Sequence, residues 1–212
     1  AVRACGADAI APMPRAEIEL LAPARDLRTG VRLPLALGEN LVGIYVEGND
    51  GHQVADLLIG GELPGEGNLV SGNALHGIVV TGAGARGVRI EGNFVGTDMD
   101  GAERLGNGGD GIHVSAGASG GRITGNVISA NALSGVALQD AGTTSHVIQG
   151  NFIGTNRDGT AKLPNVDGVS VVLYATGNQI GGTLESERNI ISGNNRFGVV
   201  VASSFSDPTL RN

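Results

Sequence analysis

The chain has no tryptophan, two tyrosines, four phenylalanines and a single cysteine in 212 residues. So few aromatics leave little from which to build the flat platforms that hold sugar rings; Tyr45 and Tyr174 are the only candidates. One cysteine, Cys5, excludes an internal disulfide and a metal site built on thiolates. No apolar run approaches the roughly 18 residues that a membrane-spanning helix needs. There is no basic block and the net charge is −7, which argues against nucleic acid and anionic membrane as partners. A Ser-His-Asp arrangement, a phosphate loop and a dinucleotide fingerprint are also missing, so no organic cofactor is implied.

What the chain has instead is glycine, 37 residues of it, and 41% hydrophobic residues. Glycine so far above its usual ~7% would suggest a disordered polymer, but that much apolar content supports a packed core. Glycine punctuating short Val and Ile runs reads as tight turns between short strands. One phrase recurs: GNLVSGN at 67–73, GNFVGTD at 92–98, GNVISAN at 125–131, GNFIGTN at 150–156 and RNIISGN at 188–194. Self-similarity at a period of a few tens of residues marks a repeat architecture.

A second phrase opens each repeat with Gly and an alternating apolar run, at Gly43, Gly77, Gly111, Gly135, Gly168 and Gly198. The uneven steps between them imply loops inserted at a corner of a common coil. They fit neither a strict hexapeptide helix nor the Ca²⁺-binding nonapeptide pattern. Each coil has room for three short strands, the second at 88–90, 122–124 and 146–148. Parallel strands stack about 4.8 Å apart, so equivalent residues form columns along the axis. Ile44, Ile78, Ile112, Val136, Val169 and Val199 make one inward column. Val46, Val80, Val114, Leu138, Val171 and Val201 make the next. Asn68, Asn93, Asn126, Asn151 and Asn189 are expected to stack as a structural ladder between the second and third strands, each amide serving the next.

Residues 1–40 lack these phrases and contain Pro12, Pro14, Pro23 and Pro34. They read as an irregular N-terminal cap, with 16–22 a strand or short helix, followed by repeats over 41–212. The chain begins with Ala and shows no charged-then-apolar leader, so either a leader was removed or this is an excised piece.

GNFIGTNRDGTAKLPN, NQIGGTLESERNIISGNN and GNGGDGIHV resemble the right-handed parallel β-helix repeat proteins of bacteria, within the pectin-lyase-like superfamily. The resemblance covers about residues 41–202. It implies an all-β, single-stranded parallel β-helix of about six coils. It leaves function open, because that superfamily includes lyases, hydrolases, epimerases, tailspikes and adhesins. In its enzymes the active site lies on the first-strand face.

Here that face carries outward columns of Tyr45, Val79, His113, Ala137, Ser170 and Val200, then Glu47, Thr81, Ser115, Gln139, Val172 and Ala202. Neither supplies the acidic Ca²⁺ site and basic residue that the resemblance implies for a lyase. The residues preceding each opening Gly include His76, Asp110 and Asp167. His76 and Asp110 fall on adjacent coils; Asp110 and Asp167 are two coils apart, hence about 10 Å, at the edge of the range for an inverting glycosidase. The enzymatic expectation is Asp110 as general acid, Asp167 as base and His76 in support. Asp before Gly is also ordinary turn chemistry.

Asp98 and Asp100 in DMDG, with Asp158 in the equivalent NRDG, suggest a Ca²⁺ loop, although no Glu closes it and a solvated turn fits equally. The four histidines, 52, 76, 113 and 146, share no metal-ligand spacing and read as loop or surface residues. The expectation is therefore a secreted or surface-displayed scaffold or binding module, non-catalytic, with a polysaccharide or another β-helix chain end to end as partner. The alternative is a polysaccharide hydrolase or lyase, or a fragment of one.

Overall fold

The computed structural model describes residues 26–27, 41–49 and 51–203. The segment 16–22 and the tail beyond Ser203 lie outside the described residues. The described chain is a parallel β-solenoid. Its first sheet has six strands, Ile44–Glu47, Ile78–Thr81, Ile112–Ser115, Ser134–Gln139, Asp167–Val172 and Val199–Ala202. The second sheet also has six, running from Asp26–Leu27 through Leu58–Gly60, Arg89–Glu91, Arg122–Thr124 and Val147–Gln149 to Gln179–Ile180. The third has five, from Leu69–Val70 to Ile190–Ile191. Every pairing between these strands is parallel. Within the segment read as a cap, Asp26 and Leu27 pair with Leu58 and Ile59, so this piece extends the second sheet.

The register follows directly from the alternating runs. Ile44 pairs with Ile78, Ile78 with Ile112, Ile112 with Val136, Val136 with Val169 and Val169 with Val199. Side chains alternate along a strand, so one register fixes both faces. The inward columns of the first sheet, as far as Val169 and Val171, meet Ile59, Ile90, Ile123 and Ile148 of the second and Val70, Val95, Ile128 and Ile153 of the third in one buried core, whereas Val199 and Val201 on its last strand are exposed. At about 25 cal/mol per Å² of apolar surface removed from water, this core is what holds the coils closed.

The second strands start one residue later than the sequence suggests in two coils, at Arg89 and Val147. Val88 is buried at the corner, and His146 is buried there by its own hydrogen bonds, so both belong to the preceding turn.

Two asparagine ladders line the third-strand corners. In the first, Nδ2 of Asn68, Asn93, Asn126 and Asn151 donates to Oδ1 of the next Asn at 3.0 Å, ending on Asn189. The backbone N–H of each donates to the same oxygen. The second ladder runs Asn73, Asn107, Asn131, Asn165 and Asn194 at 2.7–3.0 Å. Gly92, Gly125 and Gly150 precede ladder residues at φ of +65°, +66° and +64°, a backbone region that disfavours side chains. Arg188 holds the corresponding place at φ −71°, because the short 3₁₀ turn Glu185–Glu187 brings the chain in from another direction.

Candidate functional site

The first sheet brings together a cluster at its leading edge. Ile78 and Ile112 are paired, so His76 and Asp110, each two residues earlier, stand one above the other on adjacent coils. His113 follows Asp110 by three residues and projects outward from the same strand. The result is a carboxylate held between two imidazoles. Asp110 Oδ2 lies 2.9 Å from His113 Nδ1 and 3.3 Å from His76 Nδ1. The imidazole ring centroids are 4.6 Å apart, tilted by 38°.

The hydrogen bonds assign the protons. Asp110 Oδ1 accepts the Ser134 N–H from the next coil at 2.8 Å, which turns Oδ2 toward the imidazoles. Oδ2 accepts from His113 Nδ1–H, and the other ring nitrogen, Nε2, takes the Gln139 amide at 3.2 Å. His76 Nδ1 accepts the backbone N–H of Asp110 at 3.0 Å. Burial works to raise the Asp110 pKa, but the hydrogen bonds from His113 and the Ser134 N–H outweigh it and hold the carboxyl at about 2. Asp110 is therefore an anion at neutral pH. The cluster sits in a shallow place: side-chain exposures are 24% for His76, 14% for His113 and 9% for Asp110.

Asp167 is placed differently. Its Oδ1 accepts from Arg196 Nε at 3.0 Å and from the Phe197 N–H at 3.2 Å, and its Oδ2 faces Arg196 Nη2. Ser134 lies between Asp110 and Asp167 in the column, so the two carboxylates do not face one another. Of the three residues in the enzymatic expectation, the structure unites His76 and Asp110 and assigns Asp167 to a guanidinium on the following coil.

The DMDG and NRDG corners are self-contained loops. Asp98 Oδ1 accepts the N–H groups of Ala102 and Glu103; Asn156 Oδ1 accepts those of Thr160 and Ala161. A carboxylate and a neutral amide perform the same task, so the charge is not what the loop requires. Asp98, Asp100 and Asp158 do not converge as a three-ligand group. Arg157 instead lies over the Phe94 ring, 5.6 Å from its centroid. Tyr45 and Tyr174 are 36% and 68% exposed, and four coil steps separate their first-sheet strands, about 19 Å along the axis.

The histidines correct the sequence reading. His146 is buried, not a surface residue. Its Nδ1 accepts the Gly121 N–H at 3.1 Å and its Nε2–H donates to the Ala118 carbonyl at 2.8 Å. Among the described residues one group of three potential metal ligands converges, His76, Asp110 and His113, with ligand atoms within 4.8 Å of one another. Linear spacing hides it, because a solenoid inserts a whole coil between His76 and Asp110. The available signal was the column arithmetic that placed His76 beside Asp110, combined with the i+3 position of His113.

Comparison with known proteins adds the family. The model of the right handed beta helix region matches residues 41–212. No curated protein matches the chain. Among solved structures, the crystal structure of the periplasmic alginate epimerase AlgG is similar at 16% identity and a TM-score of 0.41, over 76% of this chain. The aligned region spans 36% of the epimerase's own length. The family match covers most of the chain, and the stacked parallel coils agree with it: the protein belongs to the right-handed β-helix family.

Proposed function

We propose that the protein is a non-catalytic, secreted or surface-displayed β-helix module whose first-sheet face binds polysaccharide. The observation that carries this reading is the engagement of Asp110 and Asp167, the two carboxyl groups of the enzymatic expectation. Asp110 is held by Ser134 and His113, and Asp167 by Arg196 and Phe197. A glycosidase needs one carboxylic acid that carries a proton and one carboxylate beside water, set apart by their environments. Neither role fits a carboxyl group whose two oxygens are both held by fixed donors.

Binding is tested by electrophoresis of the full chain through gels cast with neutral or acidic polysaccharides. Retardation in at least one gel, weakened by Tyr45→Ala or Tyr174→Ala, is the expected result. Unaltered mobility across the panel would remove the binding reading. End-to-end association with another β-helix chain is a second use of the same rod, and light scattering across concentrations tests it.

One observation favours an enzymatic alternative, a polysaccharide hydrolase or lyase using His76, Asp110 and Asp167. Asp110 orients His113 so that Nε2 carries the lone pair, the arrangement of a carboxylate-supported base. On that reading the proton acceptor is an imidazole, and Asp110 is its orienting partner.

A further inference from the structure

We propose that His76, Asp110 and His113 form a binding site for a zinc-class divalent transition ion on the outward face of the first sheet. The inference concerns the cluster itself and stands whether or not the face binds polysaccharide.

The donor set selects the metal class. Two imidazole nitrogens and one carboxylate oxygen suit zinc and its borderline neighbours, whereas calcium and magnesium prefer oxygen throughout. Three protein ligands leave at least one coordination position open for water or a ligand group. That position faces outward, since both imidazoles retain partial exposure.

The distances agree. Atoms bound to one zinc at about 2.0–2.1 Å stand roughly 2.9–3.4 Å apart. Asp110 Oδ2 is 2.9 Å from one imidazole nitrogen and 3.3 Å from the other. The two imidazole nitrogens, within 4.8 Å, need to close by at most about 1.5–2 Å, which rotation of the two partly exposed rings supplies. His76 Nδ1 lies 3.3 Å from Oδ2 with its one lone pair turned to the Asp110 N–H, so the ion takes that lone pair in place of the amide.

The surroundings supply the outer contacts such a site requires. A metal-bound imidazole donates its other N–H to a fixed acceptor, which sets the tautomer and ring orientation. Gln139 already contacts His113 Nε2 at 3.2 Å, and its amide offers a carbonyl oxygen after a flip. Ser134 N–H fixes the remaining carboxylate oxygen. Zinc takes the place of the proton on His113 Nδ1, and that proton passes to Nε2, so the neutral ring binds the ion with no net release.

The test is titration of the metal-stripped full chain with zinc chloride, followed by imidazole NMR of its four histidines. One equivalent is expected to bind at micromolar zinc, shifting the ring resonances of His76 and His113 and leaving those of His52 and His146 in place. Cobalt(II) bound in the same stoichiometry should give visible d–d absorption that zinc removes. His76→Asn and His113→Asn should each weaken binding at least tenfold, and Gln139→Ala by about ten- to a hundredfold. Three outcomes would overturn the proposal: no binding below millimolar zinc, shifts confined to His52 or His146, or zinc affinity undiminished in His113→Asn. If the variants fold poorly, the NMR of the unaltered chain decides.

Discussion

Replacing Asn126 by alanine tests how the solenoid is held at its corners. Asn126 is completely buried. Its Nδ2 donates to the carbonyls of Ile90 at 2.8 Å and Thr124 at 3.1 Å and to Asn151 Oδ1 at 3.0 Å. Its Oδ1 accepts the backbone N–H of Asn93 at 2.8 Å and the Asn93 side-chain amide at 3.0 Å. Alanine removes all of these, while Asn151 Oδ1 keeps the backbone donor of residue 126. The Asn93 N–H is then stranded away from water, while the Ile90 carbonyl keeps the Thr124 N–H of the parallel ladder and the Thr124 carbonyl keeps the Gly92 N–H. A buried unsatisfied group costs about 1–3 kcal/mol, so the substitution is expected to cost about 2 kcal/mol. Asn49→Ala is the control, because its oxygen serves the Gly51 and His52 amides at an exposed turn. Urea unfolding followed by circular dichroism, with both variants and the parent under one buffer, measures the difference. A loss under about 0.5 kcal/mol for Asn126→Ala, or a loss equal to that of Asn49→Ala, would refute the ladder as a source of stability.

The His146 pKa is lowered by burial, so the folded chain favours the neutral ring. The unfolded state then binds the extra proton first, and stability is predicted to decline as pH falls below about 6.5, read as a falling melting temperature. Asp110 acts in the same direction lower down: its contribution is complete above 3.8 and is lost as pH falls through about 2, which carbon-13 NMR of its carboxyl would follow. Asp167→Ala strips Arg196 and the Phe197 N–H of their acceptor and is expected to cost about 2 kcal/mol in the same denaturant assay. That is less than the 3–5 kcal/mol of a fully buried pair, because the Arg196 side chain is 36% exposed.

The fold was legible because a parallel solenoid writes its register into the sequence. Coils stack directly, so Ile44, Ile78, Ile112 and Val136 occupy one column whatever the loop lengths between them. The second asparagine ladder was less visible. Asn73 and Asn131 close their phrases after SG and SA, whereas Asn107 and Asn165 arrive after the excursions at 98–103 and 156–161, so no single motif aligns all five. The site was half visible. Column arithmetic put His76 next to Asp110, but His113 belonged to an outward column considered separately. A histidine three residues along a strand still reaches back to its own corner. The role of Arg196 was not visible at all. Its partner Asp167 lies 29 residues earlier, and only the coil step makes them neighbours.

The central claim is that the first-sheet face holds what it binds without transforming it. The most direct measurement is incubation of the full chain with a panel of neutral and acidic polysaccharides, with calcium or zinc added and with both removed. Both reducing ends and the ultraviolet absorbance of unsaturated products are followed. No product above the level of a chain carrying Asp110→Asn and His113→Asn together is the predicted result. Metal-dependent or metal-independent turnover that those substitutions abolish would contradict the account and establish the cluster as a catalytic centre.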